Sequence, residues 1–155
     1  MQTFLPYPDL EKSARCLDNK RLGKQRVECK QILLALRGES KGWQNHPAVK
    51  QWRGNELFLC AYARHCCAEW IVRGFKDSLF AFFNDGMEPF LSFPIWFGNE
   101  AYHASHRAAL LAKKPDWYGR FGWAEAPAVP DEKGRFPYVW PEDFFQLNDC
   151  RGLTE

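Results

Sequence analysis

Residues 13–37 read SARCLDNKRLGKQRVECKQILLALR and contain the clearest periodic pattern in the chain. Apolar side chains recur there at the spacing of one helix face, so we predict an amphipathic helix over 13–37. The apolar face of this helix is formed by Leu22, Cys29, Ile32, Leu33 and Leu36.

Two further helices are predicted at 47–74 and 99–113. Asn45 can cap the first of these, with Pro47 at its first helical position, and Asn99 can cap the second. Gly38 and Gly74 are placed to end helices, and strand signals are weak throughout. The chain is therefore predicted to be mainly α, as a compact single-domain helical fold with long irregular loops and an added C-terminal tail.

The chain is predicted to divide at residue 122. Residues 1–122 form the helical domain, and 123–155 are a proline-rich extension whose short closing helix, near 142–147, packs on the same domain. Within the first part, residues 76–98 are rich in phenylalanine and carry a turn at 84–86.

Composition limits the class of protein. The 155 residues are 46% hydrophobic and 26% charged, as in soluble globular proteins. No stretch is long and apolar enough to span a bilayer, and the start lacks a signal-peptide pattern, so a cytoplasmic protein is expected. The six cysteines fall mostly on apolar helical positions, which favours reduced thiols.

Metal and nucleotide chemistry lack their defining residues. His103 and His106 are three residues apart on a predicted helix, but there is no CxxC pair to complete a zinc site, so no metal is expected. A glycine-rich phosphate loop and a serine nucleophile elbow are also missing from the sequence.

Charge is unevenly distributed along the chain. Residues 1–53 carry eleven Lys and Arg against five Asp and Glu, a net of +6, whereas the remainder carries ten against fourteen, a net of −4. A polyanionic partner would fit the basic region, although a solvated basic helix face is the commoner meaning of such a run.

The start of the chain offers a nucleophile. Excision of an initiator methionine needs a small second residue, and here that residue is Gln2, so Met1 is expected to remain. α-Amines as a class have a pKa near ~8, against ~10.4 for lysine, and are therefore better nucleophiles at neutral pH. The alternative is an ordinary frayed terminus.

Two carboxylates are predicted to point inward. Asp18 lies within the apolar stripe of the first helix, with Arg21 and Glu28 at its edge, and Glu56 lies on the buried face of the second. Burial of a carboxylate is costly unless it is paired. Both carboxylates either form internal struts with Arg15, Arg21 or a chain end, or line a pocket.

Residues 113–122, KKPDWYGRFG, alternate bases with aromatic rings after a helix, which is the combination that binds phosphates and stacks on nucleobases. This stretch resembles the C-terminal motif of the pyrimidine-dimer DNA glycosylase and abasic-site lyase family, the phage-type endonuclease V proteins. The sequence NHP at 45–47 resembles a motif of bacterial members, and EWIVRGF at 69–75 resembles the family's E-x-x-x-R-G-aromatic helix end.

The resemblance implies an all-α enzyme that flips a nucleotide from double-stranded DNA with a lesion or modified base and attacks the sugar C1′ with its N-terminal amine. A Schiff base and β-elimination then follow without metal or cofactor. The family's amine corresponds to Met1, its helix arginine to Arg21, and its aromatic pair to Trp117 and Tyr118.

The sequence departs from the family at the catalytic glutamate. Leu22 follows Arg21, and a gapped alignment places Lys20 at this position instead. Asp18 is the nearest substitute and Glu56 the next, while Lys20 is an alternative nucleophile to Met1. A non-catalytic nucleic-acid- or nucleotide-binding protein on the same fold is the alternative function, and a monomer is expected in either case. The predicted DNA-binding residues are Gln2, Arg15, Arg21, Lys24, Arg26, His46, Lys113, Lys114, Trp117, Tyr118 and Arg120.

Overall fold

The computed structural model describes residues 1–84, 89–90 and 92–141, and the prediction of a mainly α fold is confirmed. Within these residues there is no β-strand. The helices are α1 (Leu10–Cys16), α2 (Asn19–Leu36), α3 (Pro47–Lys50), α4 (Glu56–Val72), α5 (Phe80–Asn84), α6 (Glu100–Lys113) and α7 (Pro115–Tyr118), followed by a 3₁₀ turn at Gly119–Phe121.

The chain forms two compact units, Met1–Pro94 and one that begins at Ile95. In the first unit, α4 packs against α1, α2 and α5 and is the central helix. The largest buried side chains of this unit include Trp52 and Tyr62, whose rings are stacked with their centroids 6.3 Å apart. The remaining large side chains of this core that are almost fully buried are Phe58, Phe83, Leu5, Leu17, Leu22, Ile32 and Leu33.

The prediction of one continuous helix over 13–37 is wrong, because the chain turns at Leu17 and Asp18 between α1 and α2. Arg73, at the end of α4, donates to the carbonyls of Arg15 and Leu17 at 2.9 and 2.7 Å. These carbonyls belong to the end of α1, where a helix leaves its last acceptors unpaired. The contact comes from another helix, so no local pattern could reveal it.

The predicted helix over 47–74 is also interrupted. The caps differ from the expectation, since His46 rather than Asn45 caps α3 by accepting the N–H of Ala48 at 3.1 Å. Gly54 has a φ of +80°, a conformation that glycine adopts without strain, and it separates α3 from α4. Gly38 and Gly74 follow the ends of α2 and α4, as predicted.

α2 and α4 approach closely at Gly23. A Cβ atom on Gly23 would lie 3.0 Å from the indole of Trp70, so a side chain fits at this position only if the indole shifts by a few tenths of an ångström. Trp70 is held on its other sides, because it stacks on Phe75 with ring centroids 4.1 Å apart and Arg26 lies 4.9 Å from its ring centre. The glycine therefore sets the distance between the two helices.

The second unit is built on α6, whose prediction at 99–113 is confirmed with Asn99 accepting the N–H of Tyr102. α6 packs against α7, and the backbone of Ala128 bonds to Ala108, which draws the following irregular chain back to the helix. Arg107 joins the same segment by an ion pair with Glu125 at 2.6 Å.

Three expectations extend beyond the described residues. The predicted closing helix near 142–147 lies outside them, as do Asp85 and Gly86 of the predicted turn and Cys150. The other five cysteines are all buried, and none of them forms a disulfide within the described residues. Among the described residues, no helix is long and apolar enough to cross a membrane.

Candidate active site at the start of the chain

The first residues of the chain are buried and bonded to α2 and α4. Phe4 donates its backbone N–H to Gln25 Oε1 at 2.8 Å, and Gln25 Nε2 donates to the carbonyl of Gln2 at 2.7 Å. The hydroxyl of Tyr62 donates to the same Gln25 oxygen at 2.8 Å. Residues 2–4 are thus fixed on the face of α2, unlike the frayed segments that chain ends usually form.

Thr3 fixes this segment from the opposite direction. Its hydroxyl oxygen accepts hydrogen bonds from Gln51 Nε2 at 3.1 Å and from the indole N–H of Trp52 at 3.0 Å. All three side chains are buried, so the bonds are shielded from water. The chain that follows α3 is therefore tied to the residue two positions after Met1.

Glu28 of α2 is the carboxylate next to the chain start. Its Oε2 accepts the backbone N–H of Gln2 at 3.3 Å and an N–H of Gln25 at 3.3 Å. Successive backbone nitrogens are at most about 3.7 Å apart, so the α-amine of Met1 lies within about 7 Å of this carboxylate oxygen. The Glu28 carboxylate can therefore stabilise a positive charge that forms on the amine.

His46 lies near the same amine. Burial and the positive charge of the N-terminus together lower the pKa of His46, so its imidazole is neutral at pH 7. Because Nδ1 accepts the N–H of Ala48, the ring proton is on Nε2. His46 thus offers a neutral N–H donor beside the start of the chain.

Asp18 is occupied by another interaction. Its side chain is almost fully buried and accepts from Arg21 Nη1 at 3.0 Å. Asp18 therefore has the partner that a buried carboxylate needs, which favours the strut among the two alternatives left by the sequence. Catalysis by Asp18 remains a prediction.

A surface groove of about 460 Å³ runs along α2 from Asn19 to Gln31, and Glu28 is part of its lining. Trp70 forms part of its wall, and the exposed amines of Lys20 and Lys24 lie along it. Lys24 Nζ is 3.8 Å from Glu28 Oε1. The groove is therefore apolar in its wall, basic along its edge and continuous with the carboxylate near Met1.

Two predicted site residues occupy different places from those expected. Arg26, predicted to bind DNA, is 8% exposed rather than open to solvent. Its guanidinium bonds to Asp77 and lies over Trp70. Glu56 is half-buried at the start of α4 and accepts the N–H of Gly54 at 3.2 Å, so the prediction that it sits in the middle of a buried face is wrong. Arg15 is exposed and pairs with Glu11 at 2.7 Å.

The second unit contains the predicted basic and aromatic segment, 113–122. Arg120 lies 3.8 Å from the ring centre of Trp117, whereas Tyr118 is fully buried and stacks on Trp123. The ring of Tyr118 thus has no exposed face in this structure, and its contact with DNA stays a prediction. Lys113 and Arg120 are exposed and Lys114 is half-buried.

The two histidines of α6 have structural roles. His103 Nε2 accepts the N–H of Gly98 at 2.9 Å, and the ring of His106 packs 4.4 Å from that of Tyr102. Burial lowers the pKa of His106 to about 3, with a smaller contribution from the neighbouring His103 and Arg107. Both rings thus belong to the interior of the second unit.

Glu28 was not among the site residues predicted from the sequence, because the glutamate was expected directly after Arg21. Glu28 instead lies two residues after a second arginine, Arg26. Glu28 also lies three positions after Gln25, so both side chains are on the helix face that contacts the first residues. That spacing was the available signal, but the contact itself is set by the tertiary fold.

Residues 1–81 match the family described as pyrimidine dimer DNA glycosylase. The matched region contains Met1, Gln2, Glu28 and His46, and it ends before the segment at 113–122. No curated protein and no solved structure gives a significant match.

Proposed function

Because the chain belongs to the pyrimidine dimer DNA glycosylase family, we propose that it is a DNA glycosylase with abasic-site lyase activity on damaged or modified pyrimidines. The observation that carries this proposal is the fixed start of the chain beside the Glu28 carboxylate. A nucleophile must be held in place relative to the group that assists it, and the bonds to Gln25 and Thr3 do this for the residues after Met1.

The proposed reaction begins with attack of the Met1 α-amine on C1′ of a nucleotide turned out of the duplex. The bond from C1′ to the base breaks, and its electron pair leaves with the base, which takes up a proton. The sugar ring then opens as nitrogen and C1′ form an iminium. Loss of a proton from C2′ expels the 3′ phosphate and nicks the strand.

Glu28 is the carboxylate proposed to assist this reaction. It accepts a proton from the attacking amine and passes it to the departing base, and the carboxylate restored in this way stabilises the cationic iminium by its negative charge. Asp18 is the weaker candidate because Arg21 already neutralises it. His46 is proposed to donate its Nε2 proton to an oxygen of the target sugar or its phosphate.

Basic residues of α2 are proposed to hold the DNA backbone. Lys20 and Lys24 are exposed along the groove whose lining includes Glu28, and Arg21 is half-buried nearby in the chain. Cations at these positions can neutralise phosphates on either side of the displaced nucleotide. Lys113, Lys114 and Arg120 of the second unit remain proposed phosphate contacts.

Borohydride trapping tests this function. Wild-type protein is incubated with duplex DNA that contains an abasic site, and the reduced adduct is located by mass analysis. We expect the adduct on the Met1 amine, and one residue added ahead of Met1 should abolish it. An adduct on Lys20 would show that Lys20, and not Met1, is the nucleophile. DNA binding without any adduct would establish the non-catalytic alternative.

A matched pair of variants tests the carboxylate. Glu28→Gln keeps an oxygen for the Gln2 N–H but removes the charge, so trapping should slow by about 10²-fold or more. Asp18→Asn should slow it far less, with any loss accompanied by lower stability. If Asp18→Asn slows trapping more than Glu28→Gln does, Asp18 is the catalytic carboxylate.

A further inference from the structure

Trp43 is an exposed indole in a strained backbone conformation. All seven tryptophans lie within the described ranges, and Trp43, at 56% exposed, is the one that is mainly open to solvent. Its φ of +66° is the only positive value found for a non-glycine residue in the part of the chain that the structure describes. A bulky side chain rarely adopts this conformation, and such strain is found at functional sites more often than elsewhere.

The strain places the ring beside His46. The two ring centroids are 5.5 Å apart in an edge-on arrangement, and the backbone N–H of His46 donates to the carbonyl of Trp43 at 2.9 Å. His46 begins α3, and the residues that follow α3 bond to Thr3 through Gln51 and Trp52. Trp43 is therefore linked indirectly, through His46 and α3, to the segment that carries the proposed nucleophile.

The surrounding loop holds Trp43 in this position without covering it. Gln44 Nε2 donates to the carbonyl of Ser40 at 2.9 Å, and Arg53 Nη2 approaches the carbonyl of Gln44 at 3.4 Å. An indole that served only to pack the loop would be buried, since its value as a hydrophobic residue comes from removal from water. The exposed faces of this ring are available to a flat ligand.

We propose that Trp43 stacks on a nucleobase next to the displaced nucleotide and keeps the gap in the duplex open. This inference rests on the proposed function, because it takes a DNA duplex with one nucleotide turned out as the ligand. Every base has a π face, so such stacking does not depend on sequence, and apolar or aromatic wedges are a common means of holding DNA unstacked.

The test uses a duplex with a tetrahydrofuran abasic analogue, which cannot form a Schiff base, flanked by 2-aminopurine. The fluorescence of this base reports its stacking. We expect wild-type protein to change the fluorescence of 2-aminopurine on one side of the site. Trp43→Ala should abolish that change and weaken binding by about 5- to 100-fold, the range that corresponds to losing one base–aromatic stack. Trp43→Phe should retain most of both.

Two controls separate a stacking role from a structural one. Phe93→Ala removes a comparably exposed ring, 63% open, from the same unit and should leave the fluorescence unchanged. Trp43→Gly suits the positive φ and should unfold at a denaturant concentration no lower than wild type, yet it should lose the fluorescence change. Trp43 variants that lose stability but keep the fluorescence change would overturn the inference.

Borohydride trapping on a natural abasic site separates this inference from the proposed function. With Trp43→Ala, trapping should be slower than in wild type, because the gap in the duplex is held open less often, but the adduct should still form on Met1, because Met1 and Glu28 are unchanged. Wild-type protein that never traps would reject the lyase, while the tetrahydrofuran duplex would still report stacking by Trp43. Wild-type protein that leaves both flanking 2-aminopurines unchanged would reject the inference alone.

Discussion

The hydrogen bond from the Gln2 N–H to Glu28 is one of several that link α2 to the start of the chain. Other charged side chains of α2 are already paired with each other or with a neighbouring segment. Asp18 is neutralised by Arg21 and Arg26 by Asp77, so these charged groups are committed to the fold. Glu28 is assigned the chemical role because its partners near the chain start are amides and the more distant amine of Lys24.

At the residue scale, His106 should make the second unit sensitive to acid. Above pH ~6.5 the ring is neutral in both the folded and the unfolded chain. Below that pH, His106 binds a proton in the unfolded chain, whereas in the folded chain it stays neutral down to its pKa of about 3. The free energy of unfolding therefore decreases as the pH falls. Between pH 6.5 and 5 this loss should reach about 2 kcal/mol.

The measurement is denaturant unfolding of wild type and His106→Gln at several pH values between 7 and 5. His106→Gln should be less stable than wild type at pH 7 but should show a flatter pH dependence. Equal pH dependence in the two proteins would mean that His106 can be protonated without unfolding.

At the scale of the helices, the closest packing is between α2 and α4. Gly23→Ala would normally stabilise a helix by up to about 1 kcal/mol. Here the new Cβ would meet Trp70 at 3.0 Å, and Trp70 is backed by Phe75 and bonded to the carbonyl of Lys76. We expect overpacking to outweigh the propensity, with a net loss of about 1 kcal/mol in the free energy of unfolding.

Gly42→Ala is the control for this substitution, because nothing lies within 4 Å of its Cβ position and its φ is not in the left-handed region. It should leave the stability within about 0.5 kcal/mol of wild type. A Gly23→Ala protein as stable as Gly42→Ala would show that Trp70 can move aside.

The helices could be predicted from sequence where their signals are local, and not where they depend on another helix. α6 has an asparagine cap and a regular apolar face, and its bounds were predicted within one residue. The turn between α1 and α2 depends on Arg73, which is 56 positions from Leu17 along the chain. Likewise, Met1 could be proposed as the nucleophile from its chemistry alone, whereas the proposed role of Glu28 required knowledge of which helix face the first residues contact.

At the scale of the whole molecule, the net +6 of residues 1–53 should govern how salt affects DNA binding. Each phosphate contact adds about one unit to the slope of log affinity against log salt. Lys24→Gln should reduce this slope by about one, and Lys20→Gln should do the same. Arg26→Gln should chiefly lower stability, since Arg26 is paired with Asp77.

Lys133→Gln is the matched control, as an exposed lysine of the acidic remainder of the chain. Its salt slope should equal that of wild type when measured by fluorescence anisotropy between 50 and 200 mM salt, a range over which such slopes are resolved. If Lys133→Gln changes the salt slope more than Lys24→Gln does, the DNA-binding surface lies on the second unit.

Burial of the five described cysteines affects how this protein responds to oxidants. Peroxides and disulfides react with thiolates, and burial raises the pKa of Cys16 and Cys67 to about 12, so almost none of either thiol is ionised at neutral pH. The same cause raises the pKa of Cys29, Cys60 and Cys66. An oxidising burst that inactivates thiol-dependent enzymes would leave these five side chains intact, and a protein whose proposed nucleophile is an amine would keep working while such enzymes awaited reduction.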